Sequence, residues 1–450
     1  MKRICITLLL IVATTPLLFS QGIDTLSLSL RECVRIAVKE NITIRTANWE
    51  VERSRRQKAE AISALIPRVN AGANYQDNLR LQTVPLALEM GDVSMIGTVQ
   101  MGMKYNLSTA VTLNWTLYNQ TAITAAQLAQ KMIDLNRLGA EKASETLATS
   151  VAELYFLALI TAQQKRLINE NISRTVRIQE ITALLVANGM SRQVDLDRIN
   201  INIENLYTQQ HNTEAAQAQQ LNMLKYTLNL PLNTPLTLTD SVEMPLSATA
   251  ENNLNPEHHI DVRLLESQHE INHINRRVVR SGYLPSLAFT GQYAIQGQRN
   301  EFRNFFNSTA PESVWYNSSY IGLGLSIPIF DGLERRARSQ QVGIDLLQTE
   351  AHITDTKEKL RVDYQNARTN YENSRVNLER QQKNIALAER VYDETSLKYR
   401  EGQASITALL QDEMSMLSAQ SNYLNALYTC REAEIQMMSI NGQIRKLIAQ

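Results

Sequence analysis

The chain has 450 residues, of which 44% are hydrophobic, 6% are aromatic, 16 are glycine and 10 are proline. So little glycine and proline favours long helices. Lys plus Arg equals Asp plus Glu at 45 each, so no net field attracts nucleic acid or an anionic surface. We therefore expect no nucleic-acid partner.

The first twenty residues have the pattern of a secretory signal peptide. Lys2 and Arg3 precede an apolar run that ends at Phe19, and cleavage is expected near Ser20. Leu18 fits the small-residue cleavage rule poorly, so an uncleaved anchor is the alternative. The sequence beyond has no run of 18 apolar residues, so no membrane-spanning helix is expected, and any insertion must use strands.

Two cysteines, Cys33 and Cys430, remain beyond the signal peptide. They could form a disulfide in an oxidising compartment. Single cysteines on helices are more often small buried hydrophobic residues. We therefore expect two free thiols, with a disulfide as the alternative.

Landmarks recur in the same order in two halves of the chain. LIPRVNAGANY at 65–75 aligns with YLPSLAFTGQY at 283–293, TLYNQ at 116–120 aligns with PIFDG at 328–332, and Gly189 pairs with Gly402. This order predicts an internal duplication. The first repeat covers 21–230 and the second 256–450, and a proline-containing linker, 231–255, joins them.

Each repeat is expected to open with a helix that ends before a proline. In the first repeat, Ser29 and Glu32 form a capping-box pattern, with Leu28 and Cys33 placed as a hydrophobic staple. That helix is predicted to continue to Pro67, and its counterpart to run from about Pro256 to Pro285. Both Pro67 and Pro285 then mark helix-to-strand transitions, because the pattern changes there to period two.

Two strands are predicted in each repeat, one directly after the proline and one returning. The returning strands alternate from Val99 to Leu117 and from Ile321 to Ile329, and the segments 77–98 and 297–319 are expected to be loops. One face of each strand is apolar and the other is polar or glycine, which suits lipid on one side and water on the other. A half-buried strand of a soluble sheet is the alternative.

A very long helix is predicted after each second strand. In the second repeat it covers about 332–400, and apolar residues recur at seven-residue steps: Tyr364, Tyr371, Leu378, Ile385, Tyr392 and Tyr399. This is a coiled-coil seam on a helix roughly 100 Å long. Gly402 ends it, as Gly189 ends its counterpart. The returning helix has a seam of its own at Leu410, Met414, Leu417, Leu424, Tyr428 and Ile435.

Four amphipathic strands cannot close a transmembrane barrel, because closed barrels begin at about eight strands and open sheet edges do not survive in hydrocarbon. If these strands lie in a membrane, several copies of the chain must share one barrel.

The sequence resembles the TolC-type outer-membrane efflux proteins across essentially the whole mature chain. The resemblance rests on LSLRECVRIAVKENI (28–42), the segment 255–287, SIPIFDG (326–332) and YREGQASITALL (399–410). It implies an α+β membrane protein in the outer membrane of a Gram-negative bacterium. Three copies would share a twelve-strand β-barrel, antiparallel coiled-coil helices would form a periplasmic tunnel, and a periplasmic adaptor and an inner-membrane pump of the RND or ABC type would dock.

The resemblance also implies a gate beside Gly189 and Gly402. Asp195 and Tyr399 match positions where family members link neighbouring helix pairs, and a tyrosine hydroxyl can donate to a carboxylate. A solvated carboxylate and the last seam residue are the respective alternatives. Several positions depart from the best-known member, which puts an acidic selectivity ring in doubt: Ala404, Ala408 and Gln411, with Asp412 and Glu413 out of register.

The motif HEINH at 269–273 is a literal match to a zinc-protease helix motif. His269 and His273 fall at outer positions of a seam formed by Leu264, Ile271 and Val278. No third ligand follows in the sequence. We expect a solvated helix face there, with no metal and no cofactor, and the same for His258 and His259.

The leading hypothesis is a passive, non-enzymatic channel of a tripartite efflux or type I secretion system. A soluble periplasmic coiled-coil scaffold or adaptor is the first alternative, and an HExxH zinc hydrolase the second.

Overall fold

A computed structural model describes residues 26–90, 93–242, 254–307, 309 and 314–449. The predicted signal peptide lies outside these residues. The chain divides into two compact units, one of 1–45, 144–254 and 363–450 and the other of 46–143 and 255–362. Each unit takes segments from both predicted repeats.

The opening helix is capped as predicted but is interrupted. Ser29 N donates to Glu32 Oε2 at 2.8 Å and Glu32 N to Ser29 Oγ at 3.4 Å, which confirms the capping box. The helix α1, Leu30–Glu40, then stops at Asn41, and α2 covers Ile42–Ser63. A single helix up to Pro67 was therefore the wrong expectation.

Asn41 causes this interruption because its side chain replaces helical hydrogen bonds. Its backbone is extended, with ψ at 136°. Its Nδ2 donates to Thr227 O at 2.8 Å, and its Oδ1 accepts from Thr43 N at 2.8 Å, as a cap for α2 would.

Four strands form one antiparallel sheet in the order β2-β5-β7-β8. They are β2 (Arg68–Asp77), β5 (Tyr105–Asn119), β7 (Ser286–Arg299) and β8 (Trp315–Ser326). The register aligns apolar residues across neighbouring strands, as in the row Val69, Leu113, Gly291 and Ile321. This apolar sheet face is exposed, and its exposed large residues include Val69, Tyr75, Val111, Trp115, Leu117, Tyr293, Ile321, Leu323 and Leu325.

The two segments expected to be loops contain regular structure. A hairpin of β3 (Gln82–Met90) and β4 (Val93–Met101) occupies most of the first. The returning strand therefore begins at Tyr105 rather than Val99, because the backbone turns at Gly102 with φ at 102°. The missed signal was Gly91-Asp92 between two apolar runs, a typical hairpin pair.

In the second predicted loop, β7 continues to Arg299 and a 3₁₀ turn covers Phe302–Phe305. The strand β8 ends at Ser326, so Ile327 and Ile329 lie beyond it.

Long helices make up most of the rest. They are α3 (Gln120–Ala187), α4 (Gln193–Thr227), α5 (Ile260–Ser281), α6 (Glu334–Arg400), α7 (Ile406–Ile440) and α8 (Arg445–Ala449), and a 3₁₀ turn at Pro256–His258 precedes α5. At 67 residues, α6 is about 100 Å long.

The predicted seam of α6 is buried or half-buried at every position. The predicted seam of α7 is partly wrong, because Met414 is 57% exposed. The buried positions there include Leu409, Glu413, Met416 and Gln420. Polar residues thus occupy two core positions that a purely apolar pattern misses.

The main core of the first unit packs α1 against α3, α4 and α7. Its fully buried residues include Cys33, Val34, Val151 and Tyr155. Beside it, β1 (Leu26–Leu28) pairs in parallel with β6 (Leu236–Leu238), so the predicted linker contains a strand. Both Cys33 and Cys430 are buried free thiols, as expected, and burial raises the pKa of the Cys33 thiol to about 12.

In the part of the chain that the structure describes, one helix has the length and composition expected of a membrane span. An 18-residue window of α3 has a mean hydropathy of 1.3, and 56% of that window is buried. α3 has no unbroken run of 18 apolar residues, so the expectation of no membrane-spanning helix stays a prediction. Residues of α3 between Ala148 and Leu159 lie in the main core, which accounts for its apolar composition without a membrane.

We expect Asn41→Ala to lower the free energy of unfolding by about 1–3 kcal/mol, because it leaves a buried carbonyl unpaired and removes a cap. Thermal denaturation of the detergent-solubilised protein, followed by circular dichroism, measures this. The matched control is Asn188→Ala, where the side chain of an exposed asparagine just beyond α3 donates to Leu184 O in the last turn of that helix. Equal midpoints for the two variants would contradict the role given to Asn41.

Candidate functional site at the two glycine turns

The two long helices that precede the turns end in the same way. Gly189 and Gly402 have positive φ angles of 72° and 74°. Met190 N donates to Leu185 O at 2.8 Å, and Gln403 N donates to Lys398 O at 2.8 Å. Each is the long bond of a Schellman motif, which places glycine at its left-handed position.

The helices α4 and α7 begin four residues after these glycines. Ser405 caps α7, since its Oγ accepts from Ala408 N at 3.1 Å. Asp195 lies in the first turn of α4, where the helix dipole favours a negative charge. Asp195 is only 7% exposed, which contradicts the solvated-carboxylate alternative.

Asp195 contacts basic and hydroxyl groups of its own turn. Its Oδ2 accepts from Arg192 Nε at 3.4 Å and from Ser191 Oγ at 3.5 Å. Its Oδ1 lies 3.8 Å from Arg198 and is a buried oxygen without a hydrogen bond. One oxygen of the carboxylate therefore makes an ion pair but no hydrogen bond among the described residues.

Tyr399 packs in a hydrophobic cluster beneath the turns. The cluster joins α3, α4, α6 and α7 through Ile178, Ile199, Ile203, Tyr392, Tyr399, Ile406, Leu409 and Met416. The Tyr399 and Thr182 hydroxyl oxygens share a hydrogen bond of 2.7 Å. Tyr399 is thus a seam residue, and within the described chain its hydroxyl pairs with Thr182 rather than with Asp195.

A buried polar layer crosses the same helices. Glu413 accepts hydrogen bonds from Thr175 Oγ1 and, at 2.8 Å, from Asn202 Nδ2. Two turns along α7, Gln420 Oε1 accepts from Asn171 Nδ2 at 2.7 Å. Burial raises the pKa of the Glu413 carboxyl, and the hydrogen bonds from Thr175 and Asn202 oppose this effect. Sequence reasoning missed this layer, although Glu413 and Gln420 are one heptad apart.

The positions that depart from the family pattern differ in exposure. Ala408 and Gln411 are exposed, Ala404 and Asp412 are half-buried, and Glu413 is buried. Glu413 is therefore not an accessible member of an acidic ring.

The two prolines lie between helix and strand. Pro67 follows α2, which ends at Ser63, and precedes β2. Pro285 lies between α5 and β7, which begins at Ser286.

The HEINH segment lies within α5. The imidazole rings of His269 and His273 are 5.0 Å apart, and Glu270 accepts from Lys131 Nζ at 2.7 Å. In the part of the chain that the structure describes, no group of three or more His, Cys, Asp or Glu residues is arranged to hold a metal ion. His258 ends the 3₁₀ turn, and His259 Nδ1 caps α5 by accepting from Asp261 N.

The chain matches known proteins by sequence family and by structure. The family model described as "Outer membrane efflux protein" matches residues 34–230 and 257–443. The CmeC outer membrane channel of Campylobacter jejuni is 16% identical with a TM-score of 0.70, covering 92% of this chain and 85% of that chain. The MtrE outer membrane channel of Neisseria gonorrhoeae is 18% identical with a TM-score of 0.67, covering 92% and 88%.

The outer membrane protein VceC of Vibrio cholerae is similar over 92% of this chain and 96% of its own, with 11% identity and a TM-score of 0.69. No curated protein sequence matches the chain.

The burial of Glu413 predicts a pH-dependent stability. A carboxyl whose pKa is raised by folding contributes stability that is present below its ordinary value of 4.5 and is lost as pH rises through the folded pKa. We expect Glu413→Gln to raise the unfolding midpoint at pH 7 and to give no such gain below pH 4.5. Thermal scans across this range measure the difference, with the exposed Glu432→Gln as control. A gain that is constant across pH would contradict the assignment.

Proposed function

The chain belongs to the outer membrane efflux protein family, and from this premise we propose that three copies form a passive conduit through the outer membrane. The chain is an outer-membrane efflux channel, and the CmeC and MtrE proteins that it resembles in fold are outer membrane channels. The trimer, the shared barrel and the partners described below are parts of our proposal.

The observation that carries the proposal is an exposed apolar sheet face with two unpaired edges. Within the described chain, β2 and β8 each pair with only one neighbouring strand. Contact with lipid is favourable for an apolar face, but it is unfavourable for unpaired backbone N–H and C=O groups. Three four-stranded sheets joined edge to edge give twelve strands and leave no edge.

The duplication also belongs to the proposal. It is supported by the two separate matches of one family model, at 34–230 and 257–443. It is further supported by the identical hydrogen bonding of the turns at Gly189 and Gly402.

In this proposal the long helices line a periplasmic tunnel that closes at the glycine turns. The unbonded Oδ1 of Asp195 is free to accept from a donor on a neighbouring helix pair. Tyr399 is the candidate donor, and its bond to Thr182 is the alternative that it adopts within one chain.

A periplasmic adaptor and an inner-membrane pump of the RND or ABC type complete the proposed assembly. Exposed apolar side chains beside the turns suit adaptor docking: Leu184, Met190, Val194 and Leu397. Energy for transport then comes from the pump, and the chain itself is not an enzyme.

The two other functions fit less well. A soluble scaffold would leave the apolar sheet face in water. A zinc hydrolase would need Glu270 free as a general base, whereas Lys131 neutralises it at 2.7 Å.

Single-channel recording of the purified protein in planar lipid bilayers tests the conduit and its gate. We expect discrete conductance steps, with Tyr399→Phe and Asp195→Ala each raising the open time or the conductance severalfold, because each removes one side of the proposed link. Asp197→Ala, which removes an exposed carboxylate two residues away, is the control and should behave as wild type. No conductance steps from the wild type would contradict the conduit. Unchanged conductance and open time in both gate variants would contradict the gate alone.

A further inference from the structure

A basic cleft lies where α5 ends and α6 begins. Its volume is about 660 Å³, and its polar lining consists of Arg276, Arg280, Tyr283, Arg336, Ser339 and Gln340. Arg276 and Arg280 are one helical turn apart on α5, so their side chains share one face. The lining contains three cationic groups and no carboxylate.

Within the part of the chain that the structure describes, the three arginines have no acidic partner. The acidic residues nearest to Arg336 in sequence are engaged elsewhere, since Asp331 pairs with Arg335 at 3.2 Å and Glu334 with Arg338 at 3.1 Å. Among the described residues, no ion pair involves Arg276, Arg280 or Arg336. The Arg276 Nε is shielded from solvent without a hydrogen-bond acceptor. Three unpaired cations around one cleft favour an anionic ligand.

Neighbouring contacts hold the cleft in shape. The Arg335 guanidinium lies over the Tyr283 ring at 5.7 Å. A Cβ atom added to Gly282 would lie 2.7 Å from Arg335 Nε, so the absence of a side chain at Gly282 permits this close approach. These contacts join the end of α5 to the start of α6 independently of any ligand.

An exposed apolar stripe leads toward the cleft along the chain. On β8 it includes Ile321, Leu323 and Leu325, and beyond the strand it continues through Ile327, Ile329 and Phe330. Arg336 follows in the first turn of α6. Tyr283, half-exposed, lines the cleft itself and precedes β7. Apolar strand, aromatic residue and basic group in this order correspond to the layers of a lipid monolayer, from acyl chain to phosphate.

We propose that this cleft binds the phosphate-bearing headgroup of an anionic phospholipid from the inner leaflet, with the acyl chains along the β8 stripe. Guanidinium groups match phosphate oxygens by paired, charge-assisted hydrogen bonds. The proposal rests on the proposed function, since it requires the four-stranded sheet to lie in the membrane.

Native mass spectrometry of the detergent-extracted full chain, titrated with dioleoyl phosphatidylglycerol, tests this site. The test variant combines Arg276→Gln, Arg280→Gln and Arg336→Gln. The control combines Arg361→Gln, Arg368→Gln and Lys383→Gln, which remove three exposed cations of α6. We expect the test variant to bind at least about tenfold more weakly than wild type, because losing even one charge-assisted contact has that effect. The control should bind as wild type.

Two further titrations distinguish a lipid headgroup from free inorganic phosphate. Dioleoyl phosphatidylcholine should bind more weakly than phosphatidylglycerol, and inorganic phosphate should not compete at equal concentration. Equal binding of phosphatidylglycerol by wild type, test variant and control would overturn the proposal. Tight binding of inorganic phosphate would overturn its lipid part. No lipid on the wild type would also overturn it, as expected if a second copy covers the cleft.

The oligomer mass in the same spectra separates lost binding from lost folding, and Arg280→Gln alone replaces the triple variant if that variant does not assemble. Membrane fractionation of the wild type tests the proposed function separately. If the wild type lies in the outer membrane but binds no lipid, only the lipid site is overturned. If the wild type is found outside the membrane, the proposed function is contradicted.

Discussion

The structure depends on one constraint, which is that every backbone N–H and C=O group inside a bilayer needs a hydrogen-bond partner. Within the described residues, a single chain satisfies this for β5 and β7 but leaves one edge each of β2 and β8 unpaired. Because the apolar sheet face is exposed, water is an unfavourable surrounding for the sheet, and because the edges are open, lipid is unfavourable for one copy. In our proposal, association of copies through these edges pairs the backbone groups and lets the apolar face contact lipid, so that the oligomer completes the fold.

The long helices follow a second rule, in which polar residues within an apolar seam determine register. Glu413 and Gln420 lie at buried positions of α7 and find partners on α3 and α4. A helix shifted along its neighbours would leave these groups unpaired at a cost of about 1–3 kcal/mol each. Above this layer, Tyr399 and Asp195 are held beside the turns by bonds of a similar kind, so alignment of the helices also positions the proposed gate.

Sequence periodicity predicted the four strands of the main sheet, the long helix α6 and its seam, because each repeats one pattern over many residues. It failed where one side chain decides the outcome. Asn41 interrupts a helix through a bond to Thr227, a residue distant in sequence, and the β3–β4 hairpin lies in a segment without a strong alternating pattern. At the candidate site, the glycines that recur in the two repeats indicated the turns. The partner of Tyr399 and the burial of Glu413 depend on which helices pack together, and the amino-acid sequence of one helix does not show this.

The mass of the species extracted by mild detergent from isolated outer membranes tests the central claim most directly. We expect a single assembly of three chains, because only a closed set of sheets leaves no unpaired edge in the bilayer. A stable, soluble monomer, or a membrane-extracted monomer that keeps its β-sheet content, would contradict it.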